Sequence, residues 1–399
     1  MKNRILVITP WWPSDHSSAG NFVRDQTAAL VASGLTADVV IVEPRRSSAR
    51  QQGEYLQSRG VHIQTLSLLS LPRRGVFRHF GPRADAWLLR RQLHHLLPAD
   101  GPAYEFTLLH HIVYAAAVPD GSAFGPLLSV VHGKDPFLIE NATSPGIRDL
   151  FVRSARRLDA TITVGGSLEP YVRDLLGESV VTETVHNGIS IEGRTLKQDR
   201  PNGSDRFVRI SSVSNLTKQK RVENTIRALA ECRSREPAID WKLDIVGEGP
   251  ETVHLRELVR HLSLDREISF HGRVDRETTI DIMERSDIFC LPSVGEAFGM
   301  VYPEAMAVGT PVIASNDAGA CETVREGVDG LLVPPDDIAA LADALHRLST
   351  NRQLRERMGK SGRTRAAHFT WERNAQRIRQ IAANHERKSV YSTAVGRER

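Results

Sequence analysis

Short apolar runs rich in β-branched residues alternate with helix-like stretches along the chain, and this alternation constrains the fold more than any other feature. Apolar runs that helices separate in this way are typical of strands buried on both faces of a parallel sheet. The first half is therefore predicted to form a doubly wound α/β domain. Its predicted strands are RILVIT (4–9), ADVVIVE (37–43), FTLLHHI (106–112), LLSVVHG (127–133) and DATITVG (159–165).

A second series of runs predicts a second domain of the same class. The polar stretch SIEGRTLKQDRPNGSDRF (190–207), which glycine, proline and asparagine interrupt, is predicted to be a linker. The helix predicted at 336–350 has Asp336 as its expected N-cap. The strands predicted in this domain are FVRISSV (207–213), WKLDIVG (241–247), EISFHG (267–272), DIFCLPS (287–293), TPVIAS (310–315) and GLLVPP (330–335).

These patterns predict domains at residues 1–190 and 207–370. In folds of this kind ligands bind at the carboxyl ends of the strands, so we expect the site in a cleft between the domains. A C-terminal helix at about 371–385 is expected to pack back on the first domain, and the polar residues 386–399 are predicted to form a flexible tail.

Charge and cysteine usage narrow the class of function. A net charge of +4 is small for 399 residues, so it does not indicate a nucleic-acid partner. The three widely spaced cysteines, Cys232, Cys290 and Cys321, form no metal-binding or disulfide motif, which indicates a reducing compartment. No apolar run is long enough for a signal segment or a membrane span. We therefore predict a cytoplasmic protein that carries no metal.

A basic stretch at residues 71–99 carries six arginines against one acid, with aromatic residues and leucines between them. One hypothesis is a peripheral contact with anionic lipid headgroups at the inner face of the membrane. The alternative is a helix whose stripe packs on the sheet while the arginines extend to solvent. The residues of that stripe are Ala86, Leu89, Leu93 and Leu97.

The stretch VGEAFGMVYPEAMAVGTPVIAS (294–315) places Glu296 and Glu304 among apolar and small residues. Pro303 suits the first turn of a helix, and Gly299 lets the backbone approach a ligand closely. A strand, a glycine turn and a helix start together form an anion site, beside which a carboxylate can accept hydrogen bonds from sugar hydroxyls. Alternatively, Glu304 only complements the helix dipole and Glu296 is solvated.

Further candidate groups follow other predicted strands. A basic turn with Lys218, Lys220 and Arg221 suits a diphosphate, although a solvated helix start would have the same composition. His132 ends a strand of the first domain, where a histidine can face a cleft or be structural. Gly20 precedes the first helix as a second backbone phosphate site, outside any GxGxxG pattern.

Seven motifs in order resemble the glycosyltransferase family 4 enzymes, over nearly the whole chain from residue 4 to about 370. The likeness is dense after residue 207 and looser between residues 45 and 105. The motifs are NFVRDQTAALVASG, VVHGKDP, VHNGIS, VSNLTKQKRVENTIRAL, IVGEGPE, ISFHGRV and GEAFGMVYPEAMAVGTPVIAS. The resemblance implies a GT-B fold, in which two Rossmann-like domains face a cleft. It also implies a retaining, metal-independent transfer of a sugar from a nucleotide sugar.

The resemblance also implies roles for individual residues. Glu304 would bind the ribose hydroxyls, Glu296 the donor-sugar hydroxyls and Lys220 the diphosphate. His132 would contact the donor sugar near the reacting carbon, so the implied catalytic set is His132, Glu296 and Lys220. Arg273 and Val274 match the turn that holds the base. The other implied donor-binding residues are Gly20, Asn215, Gly247, Phe298, Gly299, Met300 and Val301.

Two positions depart from the family pattern. Asn215 stands where the family usually has an arginine on the diphosphate, and Arg221 stands where a glycine commonly follows the lysine. An asparagine donates hydrogen bonds but supplies no charge. More of the diphosphate charge would then fall to Lys220 and the helix dipole, with assistance from Lys218 or Arg221.

The predicted function is transfer of a sugar from a nucleotide-diphosphate sugar to a hydroxyl acceptor, in polysaccharide or glycoconjugate biosynthesis. A UDP-sugar is favoured over a GDP- or ADP-sugar, and no cofactor is expected. The acceptor is left open between a glycan, a lipid-linked compound and a small molecule. Two alternatives remain: a GT-B-type nucleotide-sugar isomerase without a separate acceptor, and a nucleotide-sugar-binding protein without activity.

Overall fold

A computed structural model describes the chain at residues 3–13, 20–44, 60–68, 87–94, 104–119, 122–133, 153–177, 181–190, 207–235 and 240–395. Two compact units are present. The first comprises Met1–Gly188 with Trp371–Arg399, and the second comprises Ile189–Thr370. Most of the predicted linker, at 191–206, lies outside the described residues.

The first unit contains a parallel sheet of seven strands in the order β3-β2-β1-β4-β5-β6-β7. Five strands fall in predicted runs, whereas β3 and β7 were not predicted. Both are edge strands with alternating or intermediate burial, so neither carries a continuous apolar run. The strands are β1 (Arg4–Thr9), β2 (Thr36–Pro44), β3 (Val61–Leu68), β4 (Thr107–Leu109), β5 (Leu127–Val131), β6 (Ala160–Thr163) and β7 (Thr182–Thr184).

The second unit contains a parallel sheet of six strands in the order β10-β9-β8-β11-β12-β13. Every one lies in a predicted run; β11 and β12 are buried along their whole length, whereas β9 and β10 alternate between buried and more exposed residues. They are β8 (Val208–Val213), β9 (Trp241–Val246), β10 (Ile268–Gly272), β11 (Ile288–Leu291), β12 (Val312–Ser315) and β13 (Gly330–Val333). The two doubly wound parallel sheets confirm the predicted α/β, GT-B class.

Helices connect the strands in both units. Those of the first unit include α1 (Asn21–Ala32) and α2 (Glu169–Leu176). Those of the second are α3 (Val222–Arg235), α4 (Thr252–His261), α5 (Arg276–Arg285), α6 (Val301–Ala307), α7 (Ala318–Thr323), α8 (Ile338–Thr350) and α9 (Arg352–Ala366). The final helix, α10, spans Trp371–Val395 and belongs to the first unit.

The predicted N-cap of α8 is wrong by one residue. Asp337 caps the helix, since its carboxylate accepts a hydrogen bond from the Ala340 N–H at 2.9 Å. Asp336 instead adopts a left-handed backbone conformation with φ of 59°. Because two aspartates are adjacent at this position, the sequence alone could not show which of them caps the helix.

Helix α10 packs on α1 through buried polar side chains. Asn374 accepts a hydrogen bond from Gln26 at 2.8 Å and donates one to the His186 carbonyl at 2.8 Å. The helix continues to Val395 and so includes the first ten residues of the predicted flexible tail, because no glycine or proline occurs between Trp371 and Gly396.

A helix at residues 87–94 contains the described part of the basic stretch. Leu89 and Leu93 of the predicted stripe are buried in the core of the first unit, and Ala86 and Leu97 lie outside the described residues. Trp87 is 60% exposed, with the Arg91 guanidinium 5.7 Å from its ring centroid. Across the described ranges, no helix combines the length and apolar character that crossing a membrane requires.

Candidate active site

The first of the two predicted acids is held by a cation and a hydroxyl. Glu296 forms an ion pair with Lys220, and the Ser293 hydroxyl donates a hydrogen bond of 2.7 Å to the same carboxylate oxygen. The side chains of Lys220 and Glu296 are 22% and 14% exposed. These contacts supply the charge and hydrogen-bond partners that a carboxylate largely removed from water requires. The sequence predicted both charged residues as site residues, but not their contact.

Backbone contacts align the loop after β11 with the 3-10 helix Lys218–Lys220. The Val294 N–H donates to the Gln219 carbonyl at 3.0 Å, and the Gln219 side-chain amide donates to the Gly295 carbonyl at 3.1 Å. Strands β8 and β11 pair directly, so the segments that follow them emerge side by side at the carboxyl edge of the sheet. This adjacency brings Lys220 to Glu296.

The second acid has an arginine partner that the sequence analysis missed. Arg276 lies in the first turn of α5 and donates to Glu304 at 2.9 Å. The Glu304 side chain is 14% exposed. A basic residue in the first turn of a helix is unfavourable because its charge opposes the helix dipole. The position of Arg276 could therefore have indicated from the sequence that this side chain has an acidic partner. The predicted base turn lies just before this helix, with Arg273 exposed and Val274 packed against the core.

The loop before α6 has the predicted strand–glycine–helix form. Gly299 has φ of 74°, and a Cβ atom there would lie 2.5 Å from the Tyr302 ring. Phe298 is buried and its ring centroid is 5.3 Å from that of Phe369. Met300 is the N-cap of the helix. The amides of Met300 and Val301 thus fall where a helix has no internal carbonyl partner.

Gly247 has a structural reason to be a glycine. Its φ is 117°, and a Cβ atom there would overlap the carbonyl oxygen of Ser214. The turn after β9 therefore packs directly on the backbone that precedes Asn215. The Asn215 side chain is exposed, next to that turn. Whether either residue contacts a donor stays a prediction.

The first unit places its candidate groups in an aromatic cluster. His132 Nε2 lies 2.9 Å from His110 Nδ1, and the two rings stack at 5.1 Å between centroids. The rings of Phe22 and Trp11 lie 4.4 Å and 5.8 Å from the His132 ring. His110 was not predicted, although it too stands at the carboxyl end of a predicted strand.

Burial determines the charge of His110. Its side chain is 1% exposed, and desolvation lowers its pKa from 6.5 to about 3. The imidazole is therefore neutral at physiological pH. Gly20 belongs to the same neighbourhood, because its φ is 90° and a Cβ atom would lie 2.6 Å from the backbone of Trp11 and Trp12.

A polar cleft of about 690 Å³ in the second unit is lined by residues of α3, α4 and their neighbours, among them Lys218, Arg221 and Asp336. Lys218 and Arg221, which were predicted to assist with the diphosphate, line this cleft, but none of the residues in the implied catalytic and donor-binding sets does. Within the ranges that the structure describes, no group of three or more His, Cys, Asp or Glu side chains is arranged to hold a metal ion.

Comparison with known proteins finds a family match in the second unit. Residues 195–365 match the family model described as glycosyl transferases group 1. The second unit is therefore similar to the group 1 glycosyl transferases. This match covers Lys220, Glu296 and Glu304, and it confirms the resemblance to GT-B glycosyltransferases that the motifs predicted.

Similar sequences include named bacterial enzymes. The chain is 29% identical over 262 residues to the glycogen synthase of Mycobacterium tuberculosis (strain ATCC 25618 / H37Rv), covering 64% of this chain and 62% of that protein. It is 41% identical over 147 residues to the phosphatidyl-myo-inositol mannosyltransferase of Mycobacterium leprae (strain TN), covering 36% of this chain and 37% of that protein. The aligned region thus spans less than two thirds of each relative.

A solved structure shares the fold. Anabaena HepE in complex with UDP and glucose superposes with a TM-score of 0.70 at 19% identity, and the alignment covers 96% of this chain and 99% of that one. At this identity the likeness establishes the fold only. It agrees with the two parallel sheets of this chain.

Proposed function

We propose that this protein is a retaining glycosyltransferase that moves a sugar from a nucleotide-diphosphate sugar, with a UDP-sugar favoured, to a hydroxyl acceptor. The observation that carries the proposal is the Lys220–Glu296–Ser293 cluster beside the start of α6, in a unit that is similar to the group 1 glycosyl transferases. A diphosphate next to a sugar offers an anion to Lys220 and hydroxyls to Glu296. When the donor binds, Lys220 exchanges part of its contact with Glu296 for the diphosphate, and Glu296 exchanges part of its contact with Lys220 for sugar hydroxyls.

The proposed reaction breaks the bond between the anomeric carbon and the β-phosphate oxygen. Negative charge develops on the departing nucleotide, and Lys220 with the first amides of α6 stabilises it. The acceptor oxygen attacks the same face of an oxocarbenium-like centre, and its proton passes to the leaving diphosphate. Configuration at the anomeric carbon is retained. In this proposal the lysine supplies the positive charge, and no metal ion is required.

Glu304 is proposed to bind the ribose, in exchange for part of its contact with Arg276. Its carboxylate is 14% exposed, so a ligand that covers it must supply hydrogen bonds in place of any that it displaces. The two hydroxyls of a ribose meet this requirement. That the HepE structure contains UDP and glucose supports a UDP-sugar as the donor.

His132 is proposed to contact the donor sugar, as the family resemblance implies. The first unit is also proposed to contact a lipid surface, where a lipid-linked acceptor would be bound. The exposed side chains of Trp87 and Arg91 support this contact. Co-sedimentation with anionic vesicles tests this part, and no binding at physiological salt contradicts it. The comparisons give no support to the isomerase alternative.

A thermal-shift screen against UDP, GDP, ADP and their sugars tests the proposal first, because a ligand that binds only the folded state raises the melting temperature. Transfer is then measured with the stabilising sugar, with and without a chelator. Glu304→Ala is expected to weaken UDP binding by about tenfold, whereas Glu356→Ala, an exposed glutamate of α9, is expected to have no effect. Unchanged UDP binding by Glu304→Ala contradicts the ribose role.

A further inference from the structure

The residue that follows Lys220 has an unusual backbone conformation. Arg221 caps the 3-10 helix Lys218–Lys220 with φ of 52°, in the left-handed region that favours glycine. Among the described residues, three that are not glycine have positive φ: Arg221, Ser263 and Asp336. Two of these three, Arg221 and Asp336, bind each other across 115 positions of the chain.

Arg221 and Asp336 form an ion pair with one hydrogen bond between them. Arg221 Nε lies 2.7 Å from one carboxylate oxygen of Asp336, and Nη2 donates to the other at 3.2 Å. Asn224 donates to the same carboxylate at 2.9 Å. The third guanidinium nitrogen of Arg221 donates to the Lys218 carbonyl at 2.7 Å, across the turn that contains Lys220. We call Arg221, Asn224 and Asp336 the clasp.

The clasp and the loop after β11 constrain the same short turn. The loop contacts Gln219 and Lys220, and the clasp contacts Lys218 and the backbone at Arg221. Lys220 therefore lies between two sets of contacts. Without its side-chain contacts, an arginine at position 221 has a strong preference to leave the left-handed region, and the preceding lysine would move with it.

We propose that Arg221 is a positioning residue, which holds the left-handed backbone through the clasp and thereby places Lys220 beside Glu296. This rests on the proposed function, since it assigns Arg221 to the alignment of the proposed diphosphate-binding lysine. Two competing roles for Arg221 lead to different results in the same experiment. In the first, Arg221 contacts the diphosphate itself, and in the second its contact with Asp336 is an ordinary surface ion pair with little effect.

Glycine distinguishes these three roles, because it adopts positive φ without the clasp. Arg221→Ala keeps the strain and loses the contacts, so we expect kcat/KM to fall by about tenfold. Arg221→Gly is expected to recover activity to within about threefold of the unmodified enzyme. The matched control is Arg235→Ala, which removes an ion pair with Asp343 of α8 at an ordinary helical position of α3 and is expected to change nothing.

In the two Arg221 variants, either of two results overturns the inference. If Arg221→Gly loses as much activity as Arg221→Ala, the charge itself acts on the substrate. If Arg221→Ala behaves like Arg235→Ala, the clasp is an ordinary surface ion pair. If Arg221→Ala does not fold, Asp336→Asn replaces it, because asparagine tolerates positive φ and only the carboxylate charge is removed. Loss of activity in Asp336→Asn, restored by adding Arg221→Gly, supports the inference; no loss overturns it.

A measurement without activity separates this inference from the proposed function. The coupling between Lys220→Met and Glu296→Gln in a double-mutant cycle of denaturant unfolding reports the Lys220–Glu296 contact directly. We expect a coupling of about fivefold in the unfolding constant, lost in the Arg221→Ala background and restored in Arg221→Gly. Coupling unchanged by Arg221→Ala overturns the clasp, even if no nucleotide sugar binds. Absence of nucleotide binding overturns only the proposed function.

Discussion

Both units place polar side chains at the carboxyl ends of parallel strands, but the side chains differ in chemistry. The second unit uses ionised groups in half-buried pairs, each cation next to an anion. The first unit uses aromatic and imidazole rings, with two stacked imidazoles beside aromatic side chains. The pairs are Lys220–Glu296 and Arg276–Glu304, and the rings are Trp11, Phe22, His110 and His132.

The difference follows from desolvation. A charge removed from water is stable only beside an opposite charge or several hydrogen bonds, which the loops of the second unit supply. Burial is the cause that lowers the pKa of His110, so this imidazole stays neutral. The second unit therefore has charged pairs at these positions, whereas the first has a buried neutral imidazole at His110. Four measurements sharpen or break this contrast.

The largest expected effect comes from Lys220→Ala. Removing the charge proposed to stabilise the leaving diphosphate is expected to lower kcat/KM by about 10²–10³-fold. Assays with the donor found by thermal shift measure the loss. Lys360→Ala, at an exposed position of α9, serves as the control. A Lys220→Ala enzyme with activity near that of the control contradicts the charged character assigned to the second unit.

Gly299→Ala tests how tightly the loop before α6 is packed. Gly299 and Gly327 have φ of 74° and 71°, but a Cβ atom at Gly327 would meet nothing within 4 Å. Gly327→Ala is expected to cost about 1–2 kcal/mol of unfolding free energy for the backbone conformation alone. Gly299→Ala is expected to cost about 1–3 kcal/mol more, because it also meets Tyr302. Urea titrations measure both losses of unfolding free energy. Equal losses for the two variants would show that the loop before α6 adjusts to the added methyl group without cost.

His110→Gln tests the neutral chemistry of the first unit through pH. The pKa of His110 is about 3 in the folded protein and about 6.5 when unfolded, so the unfolded state binds the proton first as pH falls. Stability from neutral His110 is fully present above about pH 6.5 and is lost toward pH 3, by about 1.4 kcal/mol per pH unit. His110→Gln should lack this loss.

Urea unfolding at pH 7, 6 and 5 measures that slope. Four of the five tryptophans belong to the first unit, so their fluorescence mainly follows its unfolding. His254→Gln, at a half-exposed position of α4, is expected to keep the slope of the unmodified protein. If His110→Gln keeps it as well, His110 is not the buried neutral group described here.

Tyr302→Phe is expected to have the smallest effect. The buried Tyr302 hydroxyl donates to the Leu291 carbonyl at 3.0 Å and links α6 to β11. Its loss is expected to cost about 1 kcal/mol and to lower the melting temperature by a few degrees. Calorimetry measures the change. An unchanged melting temperature would mean that the loop does not depend on this link.

Prediction from sequence was clearest where burial is complete. Strands β11 and β12 of the second unit are buried along their whole length and carry continuous apolar runs. Burial alone does not explain which strands were found, because the edge strand β10 alternates in burial and was predicted, whereas the edge strands β3 and β7 were missed. For the site, residue types at strand ends were enough to predict Lys220, Glu296 and Glu304. The partners of these side chains could not be predicted, because a local sequence pattern does not show which segments lie side by side.

By itself the sequence determined two doubly wound domains, the acidic and basic residues at strand ends, and the resemblance of the second unit to glycosyltransferases, because periodicity and motif spacing are local properties of the chain. Only the tertiary structure decided the partnerships: Lys220 with Glu296, Arg276 with Glu304, His110 with His132, and Arg221 with Asp336. Each joins segments that are far apart in the chain. Strand order brings such segments together. A charge that is removed from water there is stable only beside an opposite charge or several hydrogen bonds, so burial determines which side chains must be paired.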